Sequence, residues 1–167
     1  MQTLMILRHA KAVPWGSTPD DFSRELNDDG LAHAAAVADW LHENIELPQL
    51  VLCSPAQRTR ETLAPIIARS RALEQRTHFL PQLYGASVRT LVNVLDHAFA
   101  EADSVIVVGH NPGLEGLLFD SISATQRAGI QRLATGTLAV IGLDPDWAEA
   151  QGRGKILHKV RGKALLA

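Results

Sequence analysis

Ser104-Val105-Ile106-Val107-Val108-Gly109-His110-Asn111-Pro112-Gly113 is the stretch that decides the fold. After Ser104 comes an unbroken apolar run, too short for a helix, and it reads as a strand buried on both faces. Gly109-His110 closes the strand. Asn111 is expected to cap the next helix and Pro112 to be its first residue. That helix carries Leu114, Leu117, Leu118 and Ile122 along one face.

Similar apolar runs with polar ends occur twice earlier in the chain. Residues 4–7 form a short apolar run ending at Arg8-His9. Residues 50–53 form another, ending at Ser54-Pro55. Ser54 is expected as an N-cap, Pro55 as the first helical residue, and Gln57 as the partner that completes a capping box. The helix should run to about residue 67, bent or shortened by Pro65. Between these two strands, residues 11–27 read as a long loop. Asn27 caps a helix over residues 31–43, with Leu31, Ala34, Ala38 and Leu41 on one stripe. Ser87 opens a further helix, with Val88, Leu91, Val92 and Leu95 at helical spacing. Residues 137–143 read as a strand. After the turn Gly152-Arg153-Gly154, residues 155–160 read as a final edge strand. Trp15 and Trp147 are expected to anchor loops.

Strand–helix alternation implies a three-layer α/β/α sandwich on a mostly parallel sheet. A chain of 167 residues suits one domain spanning 1–167. Ligands of such sheets bind beyond the carboxyl ends of the strands. Arg8-His9, Ser54-Pro55 and Gly109-His110 should therefore gather at one edge.

Composition excludes several classes. The formal net charge is −2 and no block of five like charges occurs, so a nucleic-acid partner held by a broad basic face is not expected. The single cysteine, Cys53, leaves neither an internal disulfide nor a cysteine-based zinc site. No run approaches the ~18 apolar residues of a membrane span. The first residues lack a charged leader and cleavage site, and a reduced, cytoplasmic setting is expected. No His-Glu-x-x-His occurs among the seven histidines, and no metal or other cofactor is expected.

His9 at a strand end can accept a phosphoryl group, because one nitrogen of a neutral imidazole carries a free lone pair. Taken alone it reads more readily as an ordinary satisfied histidine. Arg8 beside it can bind two phosphoryl oxygens at once through its planar fork, or can form a surface ion pair. Arg58 and Arg60 lie on one helix, about 200° apart around its axis, so only one faces the strand ends. Arg58 is nearer the helix amino terminus, where dipole and free NH groups favour an anion, and Thr62 falls on its side. His110 can donate to a phosphoryl oxygen or cap its own turn.

Together, Leu7-Arg8-His9-Ala10, Ser54-Pro55-Ala56-Gln57-Arg58-Thr59-Arg60-Glu61-Thr62 and Val108-Gly109-His110-Asn111-Pro112 resemble the histidine phosphatase superfamily. Arg8-His9-Ala10-Lys11, the Asp21-Phe22-Ser23-Arg24-Glu25-Leu26-Asn27 segment and Leu80-Pro81-Gln82-Leu83-Tyr84 resemble its small SixA-type phosphohistidine phosphatases. The resemblance spans residues 3–142. It implies His9 as the phosphorylated nucleophile, with Arg8, Arg58 and His110 binding phosphate.

Ester-hydrolysing branches of that superfamily carry a Glu or Asp general acid after the Leu80–Tyr84-like stretch. Residues 80–92 contain none. An alkoxide leaving group needs a proton in the transition state, whereas an imidazole can be protonated beforehand and leave neutral. The expected substrate is thus a phosphohistidine on a partner protein, admitted to a site without a lid-sized insertion. Asp20, Asp21 or Glu25 could still supply a proton. The alternatives are a small-molecule phosphomonoesterase or mutase of the same superfamily, and a non-catalytic phosphohistidine-binding protein. A cysteine phosphatase built on Cys53 is disfavoured, because Thr59 stands where its arginine would be.

Overall fold

The computed structural model describes residues 1–130 and 132–167. Six strands form one sheet: β1 (Gln2–Arg8), β2 (Leu50–Cys53), β3 (Thr77–Phe79), β4 (Ser104–Gly109), β5 (Thr137–Leu143) and β6 (Lys155–Arg161), in the order β3-β2-β4-β1-β5-β6. The first four are parallel to one another, while β5 pairs antiparallel with β1 and β6 antiparallel with β5. The four long helices are α1 (Asp28–Asn44), α2 (Gln57–Arg69), α3 (Val88–Glu101) and α4 (Gly113–Ser121).

The apolar runs are uniform because the central strands are buried on both faces. Leu4 and Ile6 of β1 and Val105 and Val107 of β4 point to the side covered by α3 and α4, with Leu91, Leu95, Leu114 and Leu117. Met5, Leu7, Ile106 and Val108 point to the side covered by α1 and α2, with Val37, Leu41, Leu63 and Ile66. This is the expected sandwich. The final strand β6 lies at the sheet edge, as its sequence suggested.

Several local expectations change. Asn27 does cap α1, accepting from the Gly30 amide at 2.8 Å. Leu31 is nevertheless about half exposed. The first turn packs through Gly30, where a Cβ would collide with the Lys11 carbonyl, so the inward stripe is Gly30, Ala34, Val37, Ala38 and Leu41. Ser54 does not cap α2: the cap position is Ala56, without a side-chain bond, and the helix begins at Gln57. The Ser54 hydroxyl is engaged by a residue far along the chain instead. Pro65 lies inside α2 without ending it, and the helix continues to Arg69. Asn111 is not a cap either. Its amide donates to the Leu133 carbonyl at 2.8 Å and to Glu115 at 3.1 Å, and Pro112 is the cap residue before Gly113. Trp15 anchors nothing, being 81% exposed. Trp147 is buried against Phe99, with ring centroids 5.3 Å apart, and its indole donates to Asp96 at 2.6 Å.

Candidate active site

The carboxyl ends of β1, β2 and β4 lie side by side, because β4 sits between the other two. The register aligns Arg8 with Gly109 and Cys53 with Val108. His9 therefore follows β1 beside the point where His110 leaves β4, and their ring centroids are 5.4 Å apart.

His9 is buried. Its Nδ1 lies 2.7 Å from the Ala10 carbonyl. A carbonyl only accepts, so Nδ1 carries the hydrogen and Nε2 keeps a free lone pair. The Ala10 amide donates to Thr62 Oγ1 at 3.0 Å, and that hydroxyl donates to the Arg58 carbonyl at 2.7 Å. Thr62 thus ties the backbone after His9 to the turn of α2 that carries Arg58. Burial lowers the His9 pKa to about 3, and the charges of His110, Arg58 and Arg8 push the same way. Burial and Arg58 lower His110 to about 4. Both rings are neutral at neutral pH.

This sets the pH dependence. Protonation of His9 would remove its lone pair, but that happens only near pH 3. The acid limb of kcat/KM reports groups of the free enzyme. Corrected for the substrate's own ionisation, kcat/KM should stay level from pH 8 to about pH 5. A midpoint near the usual histidine value of about 6.5 would show that the ring is not buried as described.

Arg58 is 5% exposed, whereas Arg60 lies on the outer face of α2. Arg60 donates to the Pro55 carbonyl at 2.8 Å and stacks 4.1 Å over the Phe79 ring. The helix geometry separated the two arginines as expected. Arg8 is half-buried, donates to the Leu133 carbonyl at 3.1 Å, and has its pKa lowered chiefly by burial. Three buried nitrogens of this set have no hydrogen-bond partner: Arg8 Nε, Arg58 Nε and His110 Nδ1. Buried donors are normally satisfied. Orphans on the three side chains whose charges bear on His9 suit an anionic ligand with several acceptor oxygens.

Two neighbours gain their place in the site only from the structure. Asp21 was one of three loop carboxylates without distinction. The structure makes it a hub: it accepts from Arg58 Nη2 at 3.0 Å, Arg24 Nε at 2.9 Å and the Tyr84 hydroxyl at 2.6 Å, and its carbonyl accepts from Arg58 Nη1 at 2.7 Å. The Tyr84 bond, then Arg58 and Arg24, hold its pKa down to about 2. Asp20 instead accepts from the Ser23 amide at 2.7 Å within its own turn, and Glu25 lies on an outer groove with Pro55, Gln57 and Arg60. Tyr84 is the second, its ring 5.5 Å from that of His110. Both lie in segments that resemble the SixA-type members, but that likeness assigns neither a contact, since their partners are distant in sequence.

Cys53 is buried and its thiol is pushed up to about 12 by desolvation, so it offers no thiolate at neutral pH. Among the described residues no cluster of three or more His, Cys, Asp or Glu is arranged to hold a metal, and no helix is long and apolar enough to cross a membrane. A groove of about 550 Å³ opens elsewhere, between α3 and the β2–β3 edge, lined by Leu52, His78, Leu80 and His97 among others, and includes none of these site residues.

The sequence profile of the histidine phosphatase superfamily (branch 1) matches residues 4–83. An uncharacterised protein of Mycobacterium tuberculosis is 31% identical over 152 residues, covering 87% of this chain and 92% of the relative. An uncharacterised chloroplastic protein of Arabidopsis thaliana is 31% identical over 155 residues, covering 88% of this chain and 69% of the relative. Among solved structures, a candidate phosphohistidine phosphatase SixA from Nakamurella multipartitia superposes with a TM-score of 0.80 at 29% identity, covering 95% of each chain. A candidate SixA from Agrobacterium tumefaciens gives 0.82 at 27%, covering 95% of this chain and 97% of that one. The fold, the His9-centred strand ends and these likenesses agree, and the chain belongs to the histidine phosphatase superfamily.

Proposed function

We propose that the protein hydrolyses phosphohistidine on a partner protein through a covalent phosphoryl group on His9. Arg8, Arg58 and His110 hold the equatorial oxygens, and no metal takes part. His9 Nε2 attacks phosphorus in line, and the P–N bond of the substrate breaks. The substrate imidazole, protonated beforehand, leaves neutral. Water then attacks phosphorus, Nε2 leaves with its electron pair, and the water's proton goes to phosphate. Catalysis in such a transfer is mostly positioning and charge stabilisation.

The observation that carries the substrate class is the state of Asp21. It is the loop carboxylate at the site, and three donors hold it ionised with a pKa of about 2. An ionised carboxylate cannot protonate an alkoxide, and general acid catalysis contributes about 10²–10⁴-fold where it operates. A phosphoramidate avoids most of that loss. The two SixA-like structures above, described as candidate phosphohistidine phosphatases, support the same reading.

The test compares kcat/KM for three substrates at neutral pH. A phosphohistidine peptide should be much the fastest and an alkyl phosphate such as a sugar phosphate the slowest. An activated aryl phosphate, whose leaving group is stable unprotonated, should fall between. A sugar phosphate in first place would overturn the leaving-group argument and favour the small-molecule phosphomonoesterase. No turnover of any of the three, with tight binding of a phosphohistidine peptide, would leave a binding protein.

A further inference from the structure

Ser54 was expected to cap a helix, and its side chain does something else. It is wholly buried at the end of β2, with its Oγ 2.8 Å from His110 Nε2, a residue 56 positions away. We propose that Ser54 is a positioning residue that fixes His110 as its Nδ1–H tautomer, so that Nδ1 is the nitrogen that donates to the phosphoryl group. The inference rests on the reading of this site as a phosphoryl site.

The assignment follows from counting donors and acceptors. The Ser54 hydroxyl can donate one hydrogen and accept others. The Ala56 amide already points at Oγ, at 3.4 Å. Among the described residues His110 Nε2 is the one acceptor recorded for the hydroxyl hydrogen. The hydroxyl therefore donates, Nε2 accepts, and the ring proton sits on Nδ1. The nitrogen that a neutral histidine protonates is set by the bond its other nitrogen makes. The reverse tautomer would leave the Ser54 hydrogen buried without an acceptor. It would also turn the Nδ1 lone pair toward the oxygens that the site is built to hold.

Two further observations fit. His110 Nδ1 is one of the three buried, partnerless nitrogens of the site, as a donor awaiting an anion would be. Ser54 is itself held from several sides. Its amide donates to the Val108 carbonyl at 3.0 Å. Its carbonyl accepts from Thr59 Oγ1 at 2.7 Å and Cys53 Sγ at 3.2 Å. A hydroxyl on so rigid a backbone can fix a ring nitrogen rather than follow it.

The direct test is the ring ¹⁵N spectrum of His110 in the phosphate-free protein at neutral pH, assigned by the loss of its signals in His110→Gln. Nε2 should show the shift of an unprotonated nitrogen and Nδ1 that of a protonated one. The opposite pattern overturns the proposal. In Ser54→Ala the ring should become a mixture of tautomers or reverse. Tungstate binding should then weaken by about tenfold, the worth of one charge-assisted hydrogen bond. Ser54→Thr, which keeps the hydroxyl, should retain the wild-type pattern. An unchanged tautomer in a folded Ser54→Ala also overturns the proposal. If a variant fails to fold, the wild-type spectrum still decides. Wild type that binds no tungstate would instead defeat the phosphoryl-site reading, whatever tautomer His110 shows.

Discussion

His9→Ala is expected to abolish turnover while the protein stays folded. His9 is the residue at the strand ends whose geometry leaves a free ring lone pair among unpartnered donors, with Nδ1 bound to its neighbour's carbonyl. Removing the nucleophile of a covalent mechanism has cost roughly 10⁶-fold in another enzyme family, and a loss of that order is expected here. The ring is neutral in the native state, so its deletion strands no charge. Thermal unfolding of the variant should stay cooperative. In the wild type, brief incubation with labelled phosphohistidine peptide should trap acid-labile, base-stable phosphate on His9. Near-normal activity in His9→Ala would sink the mechanism.

The second large effect separates two arginines on one helix. Arg58 is buried, bonded to Asp21, and keeps one buried nitrogen unpartnered. A charge-assisted hydrogen bond is worth about 1.5–3 kcal/mol, which is roughly ten- to a hundredfold in rate. Arg58→Ala should lose at least that much, because it also leaves Asp21 without one of its three side-chain donors. Arg60→Ala should change kcat/KM by no more than about threefold, as befits an exposed side chain outside the site. The readout is kcat/KM on the phosphohistidine peptide beside the melting temperature of each variant. The reverse ranking would mean that α2 presents its other face to the substrate.

Much of this was legible in order along the chain. β1, β2, β4 and β5 appear as apolar runs because a strand buried on both faces needs nothing but apolar residues, and that demand is local. Their ends, at Arg8-His9, Ser54 and Gly109-His110, are equally local, and a parallel sheet brings such ends to one edge. The separation of Arg58 from Arg60 needed only helical geometry. The short strand β3 was not legible: it has three residues and two of them are exposed, too little for a periodicity to show.

What the tertiary structure alone decided is which polar group meets which. Ser54 and Asn111 have strong local capping preferences, and both lose to longer-range partners, His110 and Leu133. Asp21, Asp20 and Glu25 look alike in sequence. Only the fold sets Asp21 against Arg58 and Tyr84, across 37 and 63 positions, and so makes it an ionised clamp. The reason is physical. Burial of apolar side chains is non-directional, so a pattern suffices to announce it. A hydrogen bond requires two particular atoms at about 3 Å, and for residues this far apart only the folded backbone supplies that distance.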